Sequence, residues 1–137
     1  MTKYLLDTCI WRDFYEGRIS KTGTLLGKNA TEFIIKLIKN EDTVLFSETL
    51  IRELRNHYDD NEIKDMLNLL FMNRILIRIE ITKEDYQEAR RISKQRNLPF
   101  VDCLNAIQTR NHKALLVTQD AHYFKNLSDI ITPIRAK

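Results

Sequence analysis

The chain has 137 residues, with 22 basic and 19 acidic side chains, so its formal net charge is only +3. This length and the 43% share of apolar residues are typical of one folded domain, here spanning 1–137, and exclude a disordered chain. The three glycines all lie between Gly17 and Gly27, which excludes a glycine-rich phosphate loop after a strand. The two cysteines, Cys9 and Cys103, form no CxxC pair, which excludes a disulfide framework and a thiolate zinc site.

Hydrophobic periodicity predicts strands and helices in alternation along the chain. The first half has a strand at 3–6, a helix at 10–15, a loop at 16–29, a helix at 31–40, a strand at 43–46, and helices at 48–58 and 61–72. The second half has a strand at 74–81, a helix from Thr82 to about Arg96, a helix at 101–111, and strands at 114–118 and 130–134. This alternation indicates an α/β fold, a three-layer α/β/α sandwich around a central, mainly parallel sheet of four to five strands.

Four acidic residues fall where such a sheet binds ligands, beyond the carboxyl ends of its strands. Asp7 follows the first strand and Asp120 follows the strand at 114–118, while Asp102 begins a helix. Glu53 lies on the helix after the second strand. Each also has a structural interpretation: Asp102 and Asp120 as caps, Glu53 as part of a solvated helix face, and Asp7 as a turn residue. The spacing alone leaves both interpretations open.

Carboxylates gathered at one site predict a metal ion, because close like charges raise one another's pKa unless a cation neutralises them. Oxygen ligands without imidazole or thiolate favour Mg²⁺ or Mn²⁺ over zinc. Such an ion activates a water molecule and stabilises the leaving oxygen of a phosphodiester. The resulting hypothesis is metal-dependent phosphodiester hydrolysis, with the metal-binding and catalytic residues Asp7, Glu53, Asp102 and Asp120.

Three segments, YLLDTCIW, SETLIREL and FVDCLNAIQTRNHKALLVTQDAHYF, together resemble PIN-domain ribonucleases, and most of all VapC-type toxins of toxin–antitoxin pairs. The matching motif positions are Asp7-Thr8, Ser47 with Glu53-Leu54, Asp102, and Thr118 with Asp120. The resemblance implies an α/β/α sandwich, Mg²⁺ or Mn²⁺ dependence, endoribonuclease activity on RNA, and inhibition by a cognate VapB-like antitoxin. It also implies that Thr8, Ser47 and Thr118 orient carboxylates or waters beside the metal.

Two positions depart from the family pattern or compete with it. Many relatives carry a further Asp where this chain has Asn105, which contributes no charge and is therefore expected only to support the ligands. Glu48 lies nearer the strand end than Glu53 and competes for the second acidic role. The Leu54 that follows Glu53 fits the family spacing and favours Glu53.

A basic cluster precedes Asp102 and predicts contact with an RNA backbone; its members are Arg90, Arg91, Lys94 and Arg96. The alternative is that these cations complement the dipole at the end of their helix. Ile10, Trp11 and Phe14 are a candidate antitoxin groove or homodimer face, with core packing as the alternative.

The remaining expectations concern location and alternative functions. The chain shows no apolar run that spans a membrane and no signal-peptide core, which predicts a cytoplasmic protein. An aspartyl-phosphate phosphatase is disfavoured, because Cys9 stands where that chemistry needs a second acid. The alternative to the ribonuclease is a catalytically weak or inactive PIN-like module that binds RNA or acts as a scaffold.

Overall fold

Four short parallel strands form the centre of the fold in the computed structural model, which describes residues 2–136. The strands are β1 (Lys3–Leu6), β2 (Thr43–Phe46), β3 (Leu76–Arg78) and β4 (Leu115–Val117). They pair in the order β3-β2-β1-β4, and every pairing is parallel. All four carboxyl ends therefore lie at the same edge of the sheet.

Helices connect the strands. They are α1 (Thr8–Glu16), α2 (Leu26–Lys39), α3 (Glu48–Leu54), α4 (Asp60–Met72), α5 (Lys83–Arg96), α6 (Phe100–Asn111) and α7 (Ala121–Asn126). Within residues 2–136, no helix has both the length and the apolar composition needed to cross a membrane.

Successive side chains of a β-strand point to opposite faces of the sheet, so each face buries every second residue of each strand. Leu6 and Val44 belong to a core with α1 to α4 on one face. Leu5, Leu45 and Leu116 belong to a second core with α5 to α7 on the other face. Both faces are thus covered by helices, and the predicted three-layer α/β/α arrangement around a parallel sheet is confirmed.

The α1 side chains proposed as a partner-binding face belong to the core instead. Ile10 and Trp11 are fully buried, and Phe14 is half-buried against the same core. A helix that covers a sheet must bury its apolar stripe, so the core-packing alternative holds for these residues.

The predicted strand at 130–134 is wrong, and a short helix was missed before it. Only Ile134 pairs with the sheet, through a single parallel bridge to Val117. Pro133 has no N–H to donate to a ladder, and Ile131 closes a turn by donating its N–H to the Leu127 carbonyl. The sheet thus has four strands, the lower end of the predicted range, and α7 follows β4 in the chain before the C-terminal segment.

A close backbone contact between α1 and α2 fixes the loop that joins them. A Cβ atom at Gly27 would lie 2.3 Å from the Gly17 Cα and 2.8 Å from the Asp13 carbonyl, so only glycine fits there. Gly17 itself ends α1 in the left-handed conformation, with φ of 64°. The predicted loop at 16–29 is accordingly shorter, because α2 already begins at Leu26.

Candidate active site

Asp7 stands at the junction of β1 and α1, where the chain leaves the sheet. Its Oδ1 accepts a hydrogen bond from the Thr8 backbone N–H (2.9 Å) and thereby caps α1. Its Oδ2 accepts from Thr118 Oγ1 (2.8 Å) and from Cys9 Sγ (3.4 Å). Burial raises the pKa of Asp7, while these three hydrogen bonds oppose that rise. The Cys9 thiol keeps its proton, since burial and the Asp7 charge raise its pKa to about 12.

Glu53 reaches the same edge from α3. Thr8 Oγ1 donates a hydrogen bond of 2.5 Å to Glu53 Oε1, which joins the start of α1 to the last turn of α3. The competing Glu48 turns away toward two arginines: Arg52 Nη2 lies 3.5 Å and Arg78 Nη2 lies 3.9 Å from its carboxylate. The structure thus places Glu53 beside Asp7 and Thr8, and Glu48 on the neighbouring surface.

Asp102 lies in the first turn of α6 and is held by a buried tyrosine. Tyr123 Oη donates to Asp102 Oδ1 (3.2 Å) and accepts from Asn105 Nδ2 (3.1 Å). Asn105 therefore supports Asp102 through Tyr123. The pKa of Asp102 is raised to about 7, first by burial and then by the charges of Asp7, Asp120 and Glu53. These four carboxylates are close enough to interact electrostatically.

Asp120 caps α7, with Oδ1 accepting from the His122 backbone N–H at 2.9 Å. Its own backbone N–H donates to Thr118 Oγ1 at 2.9 Å. The Thr118 hydroxyl thus donates to Asp7 and accepts from Asp120, so one fully buried side chain positions both acids.

The four acids line one open cavity of about 240 Å³. Its other lining residues are Thr8, Cys9, Arg12, Arg18, Asn56 and His57. Within residues 2–136, no three carboxylate, imidazole or thiolate side chains converge tightly enough to form a ready-made metal cage. The four carboxylates nevertheless surround a common space. Their oxygens are hard, negatively charged donors, the kind of ligand that Mg²⁺ and Mn²⁺ prefer.

Several residues predicted from the sequence lie outside this cavity. The Ser47 hydroxyl caps α3 and bonds Thr49, 2.7 Å between their oxygens. The α5 cations Arg90, Arg91 and Lys94 are exposed. Arg96 makes two hydrogen bonds of 2.8 Å to the carboxylate of Asp129 and one to the Asn126 carbonyl.

Four residues that line the cavity were not predicted from the sequence: Arg12, Arg18, Asn56 and His57. Helical spacing offered a signal for one of them, because Arg12 comes four residues after Thr8 and therefore faces the same way. Tyr123 lies behind the cavity, where it bonds Asp102.

Comparisons with known proteins identify the family of the chain and its fold. The family model for the PIN domain matches residues 4–130. No curated protein sequence matches the chain. VapBC2 from Rickettsia felis, solved with a promoter DNA fragment, is 20% identical with a TM-score of 0.61, over 98% of this chain and 97% of that chain. A toxin–antitoxin complex from Klebsiella pneumoniae is 16% identical with a TM-score of 0.65, over 96% and 98%.

A third similar structure is FitAcB from Neisseria gonorrhoeae, 16% identical with a TM-score of 0.57, over 98% of this chain and 96% of that chain. At these identities the likeness concerns the fold alone, and the family model carries the assignment because it matches most of the chain. Together with the acids that the sheet edge gathers, it confirms the resemblance found in the sequence: the chain belongs to the PIN-domain family.

Proposed function

We propose that this protein is a metal-dependent endoribonuclease that hydrolyses RNA phosphodiester bonds. The observation that carries the proposal is the arrangement of Asp7, Glu53, Asp102 and Asp120 around one open cavity, each delivered by a different element. Membership of the PIN-domain family, whose members are generally nucleases, supports a hydrolase acting on nucleic acid.

Asp7, Glu53, Asp102 and Asp120 would hold Mg²⁺ or Mn²⁺ at this site. When bound, such an ion supplies an activated water and stabilises charge on a leaving oxygen. The chain's own contribution is to orient the ligands. Thr118 and Cys9 fix Asp7, and Thr8 fixes Glu53, each through a hydrogen bond to the carboxylate.

We propose that the basic cluster on α5 also contacts the RNA, outside the cavity. Arg90, Arg91 and Lys94 are exposed and available to phosphates. Arg96 is held by Asp129 on the same surface and is the least available of the four.

We also propose that the protein is the toxin of a VapBC-type pair, which would act in the cytoplasm as a homodimer restrained by a cognate antitoxin. The support is the shared fold with the Rickettsia VapBC2 and Klebsiella toxin–antitoxin structures. A small reading frame with a DNA-binding end directly upstream, whose product co-purifies with this chain, is the expected finding. An isolated gene whose product is harmless when overexpressed would contradict the toxin assignment.

The alternative is a PIN-like module that binds RNA with little or no catalysis. It draws on the finding that, within the described residues, the carboxylates do not already form a tight cage. Titration calorimetry with Mn²⁺ separates the two, because a ligand specific for the folded state must stabilise it. The nuclease proposal predicts heat and a raised Tm for the wild type and a weaker response for Asp7→Asn. No heat and no Tm change would support the module.

A further inference from the structure

One wall of the carboxylate cavity is basic, and it continues directly from the acids. Arg12 lies one helical turn beyond Thr8 on α1, and His57 lies in the turn after α3, three residues beyond its last residue Leu54. Arg18 reaches the same cavity from the loop after α1. A polyanion that approaches four carboxylates needs nearby cations, and this wall supplies them within the cavity itself.

The two arginines of this wall have different partners. Arg18 Nε donates a hydrogen bond of 2.8 Å to Asp13 Oδ1, and Arg18 Nη2 donates to the Cys9 carbonyl at 3.3 Å. The Asp13 side chain is only 1% exposed, so its carboxylate depends on the Arg18 charge. Arg18 therefore has a structural role and stabilises the connection between α1 and α2.

Arg12 is the less exposed of the two arginines, at 26% against 32%, but its acidic partner Glu16 is solvated where Asp13 is buried. Tyr58 Oη also donates to Glu16 Oε2. Arg12 Nε donates to Glu16 Oε2 and to Tyr58 Oη, both at 3.3 Å, and Arg12 Nη1 lies 3.5 Å from His57 Nε2. Glu16 has a side chain that is 36% exposed, and such solvated ion pairs contribute little free energy. A phosphate can displace this carboxylate, because a guanidinium binds phosphate through two parallel hydrogen bonds.

We propose that Arg12 binds an RNA phosphate next to the one being hydrolysed, so that the strand runs along α1 and past His57 in the turn after α3. Glu16 then acts as a competing anion that the RNA must displace. Arg18 stabilises this wall of the cavity but does not bind the RNA strand. This inference rests on the proposed ribonuclease function and names the residue that positions its substrate.

The test measures RNA binding separately from cleavage. The protein carries Asp7→Asn, and the probe is a fluorescein-labelled single-stranded RNA of mixed sequence, about 12 nucleotides long, in Mg²⁺. Fluorescence anisotropy gives Kd between about 50 and 200 mM salt. The variants added to this background are Arg12→Gln, Glu16→Gln and the control Arg52→Gln. Arg52 is a matched control because it is also a helical arginine with an i,i+4 glutamate, but it does not line the cavity.

The inference predicts that Arg12→Gln weakens RNA binding about tenfold. The slope of log K against log salt should also become less steep by about 0.7, the value expected for the loss of one phosphate contact to a single strand. The inference further predicts that Glu16→Gln tightens binding, and that Arg52→Gln changes neither quantity. Because Glu16→Gln breaks the same ion pair, a purely structural role for that pair predicts similar losses of stability for both variants and no gain in affinity.

Two results would overturn the inference. One is an unchanged Kd and salt slope in Arg12→Gln, and the other is weaker binding in Glu16→Gln. If the Asp7→Asn protein itself binds no RNA under any salt condition, the proposed function fails as well, so the two failures can be told apart. The melting temperature of each variant, measured in the same buffer, verifies that the protein is folded at the assay temperature.

Discussion

Thr118 Oγ1 donates a hydrogen bond of 2.8 Å to Asp7 Oδ2 across 111 residues of sequence. The two residues follow the neighbouring strands β4 and β1, and both are buried. The same hydroxyl accepts the backbone N–H of Asp120, so it links two of the four proposed metal ligands. The geometry of the site thus depends on one side chain that carries no charge.

We therefore expect Thr118→Val to weaken Mn²⁺ binding and RNA cleavage by about 10- to 100-fold, the usual cost of losing a hydrogen-bonding partner of a metal ligand. Valine keeps the shape of the side chain but leaves the Asp7 carboxylate with one donor fewer. Calorimetry with Mn²⁺ measures the loss. Thr109→Val is the matched control, because Thr109 is also fully buried but bonds the carbonyl of its own helix. Equal Mn²⁺ affinity in wild type and Thr118→Val would contradict this role.

The raised pKa of Asp102 predicts how stability depends on pH in the absence of divalent metal. Folded Asp102 releases its proton at about pH 7 rather than at its ordinary pKa of 3.8, so between these values the folded state binds more protons than the unfolded state. The free energy of unfolding then falls as pH rises from about 4 to about 7, and levels off above. The raised pKa of Asp7 acts in the same direction.

Thermal melts in EDTA across this pH range measure the effect. We expect the Tm of the wild type to fall as pH rises, and the fall to be smaller in Asp102→Asn. Asp65→Asn, which removes an exposed acid on α4, should behave as the wild type. A Tm that rises or stays level between pH 4 and 7 would contradict the raised pKa values of Asp102 and Asp7.

Tyr123→Phe removes the hydroxyl that joins Asn105 to Asp102. Since Tyr123 is fully buried, the Asn105 amide would lose its partner inside the core, at a cost of about 1–3 kcal/mol in the free energy of unfolding. We expect a Tm lower by several degrees and weaker Mn²⁺ binding. Tyr123→Phe combined with Asn105→Ala should lose less than the sum of the single losses. If the losses in the free energy of unfolding, measured with urea, are strictly additive, then Tyr123 and Asn105 are not coupled.

Arg18→Gln tests the structural role assigned to the second arginine of the cavity. It leaves the buried Asp13 without its cation, and we expect a loss of about 2 kcal/mol, below the full cost of a buried pair because Arg18 is one-third exposed. The double variant Asp13→Asn with Arg18→Gln should recover much of that loss. Urea unfolding measures both variants. Weaker RNA binding at unchanged stability would instead assign Arg18 to the substrate.

The sequence was informative where a general rule of chain geometry applied. Asp7 directly follows β1 and Asp120 comes three residues after the end of β4. Parallel strands bring their carboxyl ends to one edge, so the proximity of these two acids could be predicted. Glu53 and Asp102 lie on helices, where position alone does not reveal direction. Their positions near helix starts made them candidates, the family motif favoured them, and the structure places them beside Asp7 in the same cavity.

The missed residues depend on packing that periodicity does not report. The helix after β1 was predicted to begin at residue 10, whereas α1 begins at Thr8, so the shared face of Thr8 and Arg12 was overlooked. α7 has six residues, too few for a periodic pattern, and this helix was therefore missed. The apolar residues at 130–134 resembled a strand, but Pro133 and a turn at Leu127 limit the pairing to one bridge.

Cleavage of a labelled single-stranded RNA shows whether Asp7 belongs to a metal-dependent ribonuclease site. Wild type, Asp7→Asn and the control Asp65→Asn are compared in Mn²⁺, in Mg²⁺ and in EDTA, with the Tm of each protein measured in parallel. We predict cleavage by wild type and Asp65→Asn in either metal, none in EDTA, and none by a folded Asp7→Asn. Cleavage that persists in EDTA, or full activity of Asp7→Asn, would contradict a metal-dependent ribonuclease site at Asp7.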